Sequence, residues 1–191
     1  NPDVGNARLD LPFAEKEIKS LEQTFAQTKS FTRKQATRSA LLQSKDEAEL
    51  LHFSCHGVYD ATNPLFSALL LAPENEESNG RLAAHEILGL KLSAQLVMLS
   101  ACETGLARVT GGDEVIGLAR SFIFAGAPSL IASLWTVDDL ATAITVKRFY
   151  RFLKSGHSKA ETLRAAQRFV RDHHNRHPAY WASLGLTGDW R

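Results

Sequence analysis

Cysteine is scarce: the sequence has two, Cys55 and Cys102. That is too few, and too widely spaced, for the disulfide framework that holds small secreted domains together. An excess of one charge is also lacking. Lysine and arginine number 22 against 21 aspartate and glutamate, whereas binding nucleic acid by field alone needs a clear basic surplus. Long apolar runs are missing too. The longest, from Leu65 to Ala72, is broken by Ser67 and falls far short of the ~20 residues that cross a bilayer. No charged-then-apolar segment of the secretory kind opens the chain, and there are no heptads, internal repeats or low-complexity tracts. Gly-x-Ser-x-Gly, P-loop and Gly-x-Gly-x-x-Gly motifs are absent, which puts hydrolase-elbow and nucleotide-dependent chemistry last. What is present is 191 residues with 44% hydrophobic content, enough for one sizeable core. The expectation is a soluble, cytoplasmic globular domain with no membrane segment, no nucleic-acid partner and two free thiols.

Periodicity predicts helices over 13–26, where Ile18, Leu21 and Phe25 share a face, and over 32–44 with Thr32 as its cap. From Leu50 the pattern changes. Strands are predicted over 50–55, 68–72, 95–101, 129–135 and 182–186, and the unbroken run Leu96 to Leu99 suits a parallel strand buried on both faces. Helices are predicted over 81–89, 113–125, 138–154 and 158–175. Alternating strands and helices make an open, mostly parallel sheet flanked by helices, with all five strands in one sheet. Such sheets bind ligands beyond the carboxyl ends of their strands, because the crossover loops gather there.

Two strand ends carry reactive side chains. One reads Ser54-Cys55-His56-Gly57 and the other Ser100-Ala101-Cys102-Glu103-Thr104-Gly105. If the strands are neighbours, an imidazole and a thiol share one crevice. A thiol becomes a nucleophile once its proton is lost or exchanged, and an adjacent imidazole does this and later protonates a leaving amine. Gly57, with no Cβ, lets a carbonyl approach its N–H closely. Together with the Cys102 N–H it is a candidate oxyanion hole, worth about 2–4 kcal/mol per donor.

The His-Gly after one strand and the Ala-Cys-x-x-Gly after the next resemble the CHAT-domain peptidases, relatives of caspases and separases. The caspase form places its histidine about 50 residues before the cysteine; here they are residues 56 and 102. Further stretches carry the resemblance across nearly the whole chain: Asn1-Pro2, Leu11-Pro12, Gly111-Gly112-Asp113-Glu114, Ala125-Gly126-Ala127-Pro128, Ser133-Leu134-Trp135-Thr136-Val137-Asp138-Asp139 and Tyr180-Trp181-Ala182. The resemblance implies a caspase-like three-layer α/β sandwich and a cysteine endopeptidase with His56 and Cys102 as its dyad. It also implies a protein or peptide substrate and no cofactor. The family's strand before the Asn-Pro loop has no counterpart here. Residues 1–191 are therefore expected to be a single domain cut from a longer protein, with a helical-repeat regulatory domain or partner protein beside it.

Asp138 and Asp139 follow Trp135 in a position similar to the acidic pocket region of separases. Asp139 is the candidate to face a basic P1 side chain through a charge-assisted hydrogen bond, with Asp138 the candidate cap of the following helix. Asp113 and Glu114 read as first-turn acids. Cys55 should face away from His56 along its strand and pack, so His52, Cys55 and His56 do not form a metal site. His173 and His177 sit around a helix end, where cations are ordinary dipole partners. Nine lysines and arginines between Lys147 and Arg176 read mainly as the solvated face of two helices. The alternative to a peptidase is a catalytically silent caspase-like scaffold that binds protein partners.

Overall fold

The computed structural model describes residues 1–60, 62–100, 102–103, 113–135 and 138–191, with the backbone alone described for Arg8, Cys102, Glu103 and residues 113–116. In chain order the strands are β1 (Leu50–Phe53), β2 (His56–Val58), β3 (Ala68–Leu70), β4 (Arg81–Ala83), β5 (Leu96–Leu99), β6 (Cys102–Glu103), β7 (Ser129–Ser133) and β8 (Leu184–Gly188). The helices are α1 (Ala14–Thr24), α2 (Arg38–Ser44), α3 (Ala84–Leu88), α4 (Asp113–Phe124), α5 (Asp139–Lys154), α6 (Lys159–His173) and α7 (Pro178–Trp181).

The central sheet has the order β1-β5-β7-β8. Its first three strands run parallel and β8 closes the edge antiparallel. Every residue of β5 and β7 is buried, as expected of strands covered on both faces. Period-two alternation divides them between two cores. Val97, Leu99, Leu130 and Ala132 pack with Ile87 of α3 and with Leu118 and Phe122 of α4. Leu96, Met98 and Ile131 pack on the other side with Leu21 of α1, Val146, Phe149 and Tyr150 of α5, and Leu163 and Ala166 of α6. Helices thus cover both faces of a mostly parallel sheet, in the three-layer, caspase-like arrangement.

The expectation of one five-stranded sheet is corrected. The segment at 68 belongs to a second sheet of order β4-β3-β2-β6. Only residues 59–67 join β2 to β3, including a tight turn over Pro64–Phe66. A parallel return needs a crossover of a dozen residues or more, so the chain returns antiparallel, pairing His56 with Leu70 and Val58 with Ala68. The predicted helix at 81–89 is also shortened: Arg81–Ala83 pairs with the open edge of β3 as β4 before the helix begins. The strand predicted over 50–55 also divides, with β1 ending at Phe53 and β2 beginning at His56.

Helix starts follow side-chain chemistry. The predicted cap Thr32 is replaced by Thr37, whose Oγ1 accepts the Ala40 N–H at 3.2 Å. Ser158 and Glu161 form a reciprocal capping box on α6. Two glycines are required by their turns. Gly126 ends the α4 turn at φ +115°, and a Cβ at Gly188, φ +95°, would stand 2.1 Å from the Pro128 carbonyl oxygen.

Candidate functional site

Two strands leave the central sheet side by side. β1 ends at Phe53 opposite Leu99 at the end of β5. Each chain then enters the second sheet, β1 continuing as β2 and β5 as β6. These remain parallel partners, with His56 opposite Cys102 and Gly57 opposite Glu103. Adjacent strands lie about 4.8 Å apart, so the backbones of the two dyad candidates are immediate neighbours. The pairing falls just beyond the carboxyl end of the central sheet. The Cys102 thiol lies outside the described atoms, as do the motif residues Ala101, Thr104, Gly105, Gly111, Gly112, Thr136 and Val137.

The His56 ring has a defined orientation. Its Nε2 lies 2.8 Å from the Leu9 carbonyl oxygen. A carbonyl only accepts, so Nε2 carries the hydrogen. A neutral His56 then keeps its lone pair on Nδ1, the nitrogen that can accept a proton. The loop that supplies Leu9 is held by Asn1, whose Oδ1 accepts the Leu11 N–H at 3.0 Å and whose nitrogen donates to the Ser54 carbonyl at 2.6 Å. The Asn-Pro and Leu-Pro stretches thus brace the residue that orients the histidine. A backbone carbonyl has no sequence signature, and Leu9 was not legible beforehand.

A buried polar cluster, also missed by sequence reasoning, lies below these strand ends. Glu17, on the inward face of α1, is 4% exposed. Its Oε2 accepts from Ser54 Oγ at 2.9 Å and His52 Nε2 at 3.2 Å, and its Oε1 accepts from Ser100 Oγ at 3.2 Å. The second His52 nitrogen, Nδ1, lies 3.0 Å from the Tyr150 hydroxyl. Burial, and secondarily the charge of Glu17, push the Tyr150 phenol well above its ordinary range, so it stays protonated and donates. The chain of donors runs from Tyr150 through His52 to Glu17. The one advance signal was a glutamate facing inward on an amphipathic helix, since buried carboxylates need partners.

Leu11, Phe13, Ala14, Glu17, Ser54, Ser100, Asp139 and Thr142 line a small pocket of about 20 Å³ in this region, room for a single water. Asp139 therefore shares a cavity with Glu17 and Ser100. Asp138 does not line it. Its Oδ1 accepts the Ala141 N–H at 2.8 Å as the cap of α5, and the same oxygen lies 3.8 Å from His174 Nε2. Among the other residues weighed from sequence, Cys55 is 1% exposed and packs in the core beneath α4. His173 stacks on Phe169 with ring centres 4.3 Å apart, whereas His177 caps α7 by accepting the Ala179 N–H. Phe149 is fully buried and Phe152 is half-buried. Of the nearby cations, Arg148 lies 3.6 Å over the Phe169 ring and Lys159 donates to the Arg191 carbonyl. Lys147, Arg151, Arg164 and Arg168 are exposed.

A parallel sheet between two helical layers, with a histidine and a cysteine paired beyond its carboxyl edge, defines a caspase-like domain. A family model described as the CHAT domain matches residues 3–189, and the chain belongs to that peptidase-related family. It is similar to tetratricopeptide repeat protein 28 of Mus musculus, 26% identical over 232 residues, and to its Homo sapiens counterpart, 25% identical. Each match covers 98% of this chain and 9% of the longer protein. Among the described residues no helix is long and apolar enough to cross a membrane.

Proposed function

We propose that this domain is a cysteine endopeptidase with His56 and Cys102 as its dyad. The observation that carries the reading is their pairing across the β2–β6 ladder, together with a His56 ring whose Nε2 is tied to Leu9. The Cys102 thiolate attacks the scissile carbonyl carbon, and the π electrons move to the oxygen, held by the Gly57 and Cys102 amides. Collapse expels the amine, which takes its proton from His56. Water then gives a proton to His56, attacks the thioester and releases the acid together with the Cys102 thiolate. Asp139, half-buried at the start of α5, selects a basic P1 residue from outside that single-water cavity. The domain works in the cytoplasm, where thiols stay reduced, on protein or peptide substrates. It forms part of a longer protein with helical repeats, as the relatives' name and length suggest.

A second reading is a catalytically silent scaffold that binds protein partners. It is favoured by relatives named for their repeats rather than for an activity. Cleavage of a peptide library and alkylation by iodoacetamide separate the two. Under the peptidase reading Cys102→Ala abolishes both and Cys55→Ala leaves both largely intact. Equal labelling in the two variants, or cleavage that survives Cys102→Ala, would sink it.

A further inference from the structure

We propose that Glu17 is a positioning residue for the dyad: its carboxylate clamps together the two strand ends that carry His56 and Cys102. The inference rests on the peptidase reading and adds to it a residue on α1, distant in sequence from both strand ends. Ser54 precedes His56 by two residues, and Ser100 precedes Cys102 by two. At these points both strands have left the central sheet. The backbone link there is the Ser100 N–H donating to the Phe53 carbonyl at 2.9 Å. Glu17 adds a side-chain bridge, one oxygen taking the Ser54 hydroxyl and the other the Ser100 hydroxyl.

The bridge is stiff for physical reasons. A carboxylate this deeply buried is tolerated only when its oxygens are engaged, and here both are, with His52 as a third donor. His52 is itself held by Tyr150, so the carboxylate cannot rotate without breaking several contacts at once. Its helix is anchored independently, with Leu21 in the core formed by α5 and α6. Among the described residues, the ionisable groups facing the cluster are His52 from β1, Tyr150 from α5, Asp139 from the start of α5 and the Asn1 nitrogen on the Ser54 carbonyl. A shift of either strand end by a fraction of an ångström changes the His56–Cys102 separation, on which proton exchange between thiol and imidazole depends steeply.

Glu17→Gln conserves shape but turns one acceptor into an NH₂ donor facing groups that already donate. The test is the pH–rate profile for iodoacetamide alkylation of Cys102, mapped by peptide mass, in the folded chain. Wild type should show an apparent thiol pKa below the ordinary value of about 8.5, and His56→Ala should raise it. Glu17→Gln should slow alkylation about tenfold at neutral pH and move the profile towards that of His56→Ala. Glu17→Asp should recover part of the loss. Ser54→Ala combined with Ser100→Ala removes the clamped hydroxyls without touching the charge. It should move the profile in the same direction, and it serves as the test if Glu17→Gln does not fold by circular dichroism. A folded Glu17→Gln with the wild-type profile overturns the inference while leaving the dyad standing, as does an unshifted double serine variant. A wild-type profile indifferent to His56→Ala overturns the peptidase reading, and the inference with it.

Discussion

His56 Nε2 and the Leu9 carbonyl oxygen stand 2.8 Å apart, and this contact decides which imidazole nitrogen carries the hydrogen in the neutral ring. Leu9 closes the single tight turn of Ala7–Leu9, more than forty residues before the histidine it orients. The neutral ring should therefore be the Nε2–H tautomer. Two-bond ¹⁵N–¹H correlation spectra of the labelled protein would show a protonated Nε2 and a bare Nδ1. The opposite assignment would mean that the histidine is not held by Leu9 in solution.

Asp139 shares its cavity with Glu17, Ser54 and Ser100, which makes that corner acidic. Under the proposed reading, a cationic P1 side chain that reaches the half-buried Asp139 carboxylate from outside this single-water cavity gains a charge-assisted hydrogen bond, roughly twice as strong as a neutral one. Peptide-library profiling of Asp139→Ala should show the preference for Arg or Lys at P1 fall by about tenfold or more, with thiol reactivity kept. A profile identical to wild type would remove Asp139 from substrate selection.

Asp138, one residue earlier, should behave differently. Its side chain caps α5 through the Ala141 N–H, and removing such a cap costs ~1 kcal/mol. Thermal melting of Asp138→Ala should drop by about 2–4 °C, the usual response of a domain this size to that loss. Its P1 profile should match wild type. If the neighbouring aspartates divide between stability and recognition, the two substitutions should separate cleanly.

Tyr150→Phe keeps a ring that packs edge-on against Phe149 and Phe25 but deletes the hydroxyl facing His52 Nδ1. Leaving a buried acceptor without its donor costs about 1–3 kcal/mol. Urea unfolding should show a free energy of unfolding lower by that amount, read as a lower midpoint with an unchanged slope, because the exposed surface on unfolding is the same. No loss of stability would mean that water replaces the phenol at Nδ1.

The layered architecture was largely legible because its signals are local. Leu96 to Leu99 announced a strand buried on both faces, and the long amphipathic segments announced α5 and α6. The sheet membership of the segment at 68 was not legible. Its apolar run fits either sheet, and only the short connection after Val58 forces it to pair antiparallel with β2. The same holds for Arg81–Ala83, whose residues suit a helix until an open edge of β3 offers hydrogen bonds. The candidates His56, Gly57, Cys102 and Asp139 were named from spacing and resemblance. Leu9 and Glu17 could not be, since one acts through an anonymous carbonyl and the other lies 35 residues from its nearest strand partner, His52.

Residue chemistry and local periodicity were therefore determined by the sequence alone: two cysteines too few for a disulfide framework, a His-Gly and an Ala-Cys at strand ends, and helices with one apolar face. Only the tertiary structure decided what stands beside what. It paired His56 with Cys102 across β2 and β6, buried Cys55 in the core, and turned a helix glutamate into the common acceptor of two strand ends. Periodicity reports which face of an element is buried. Register and hydrogen-bond partners depend on contacts between residues far apart in the chain, and those are settled only when the layers pack.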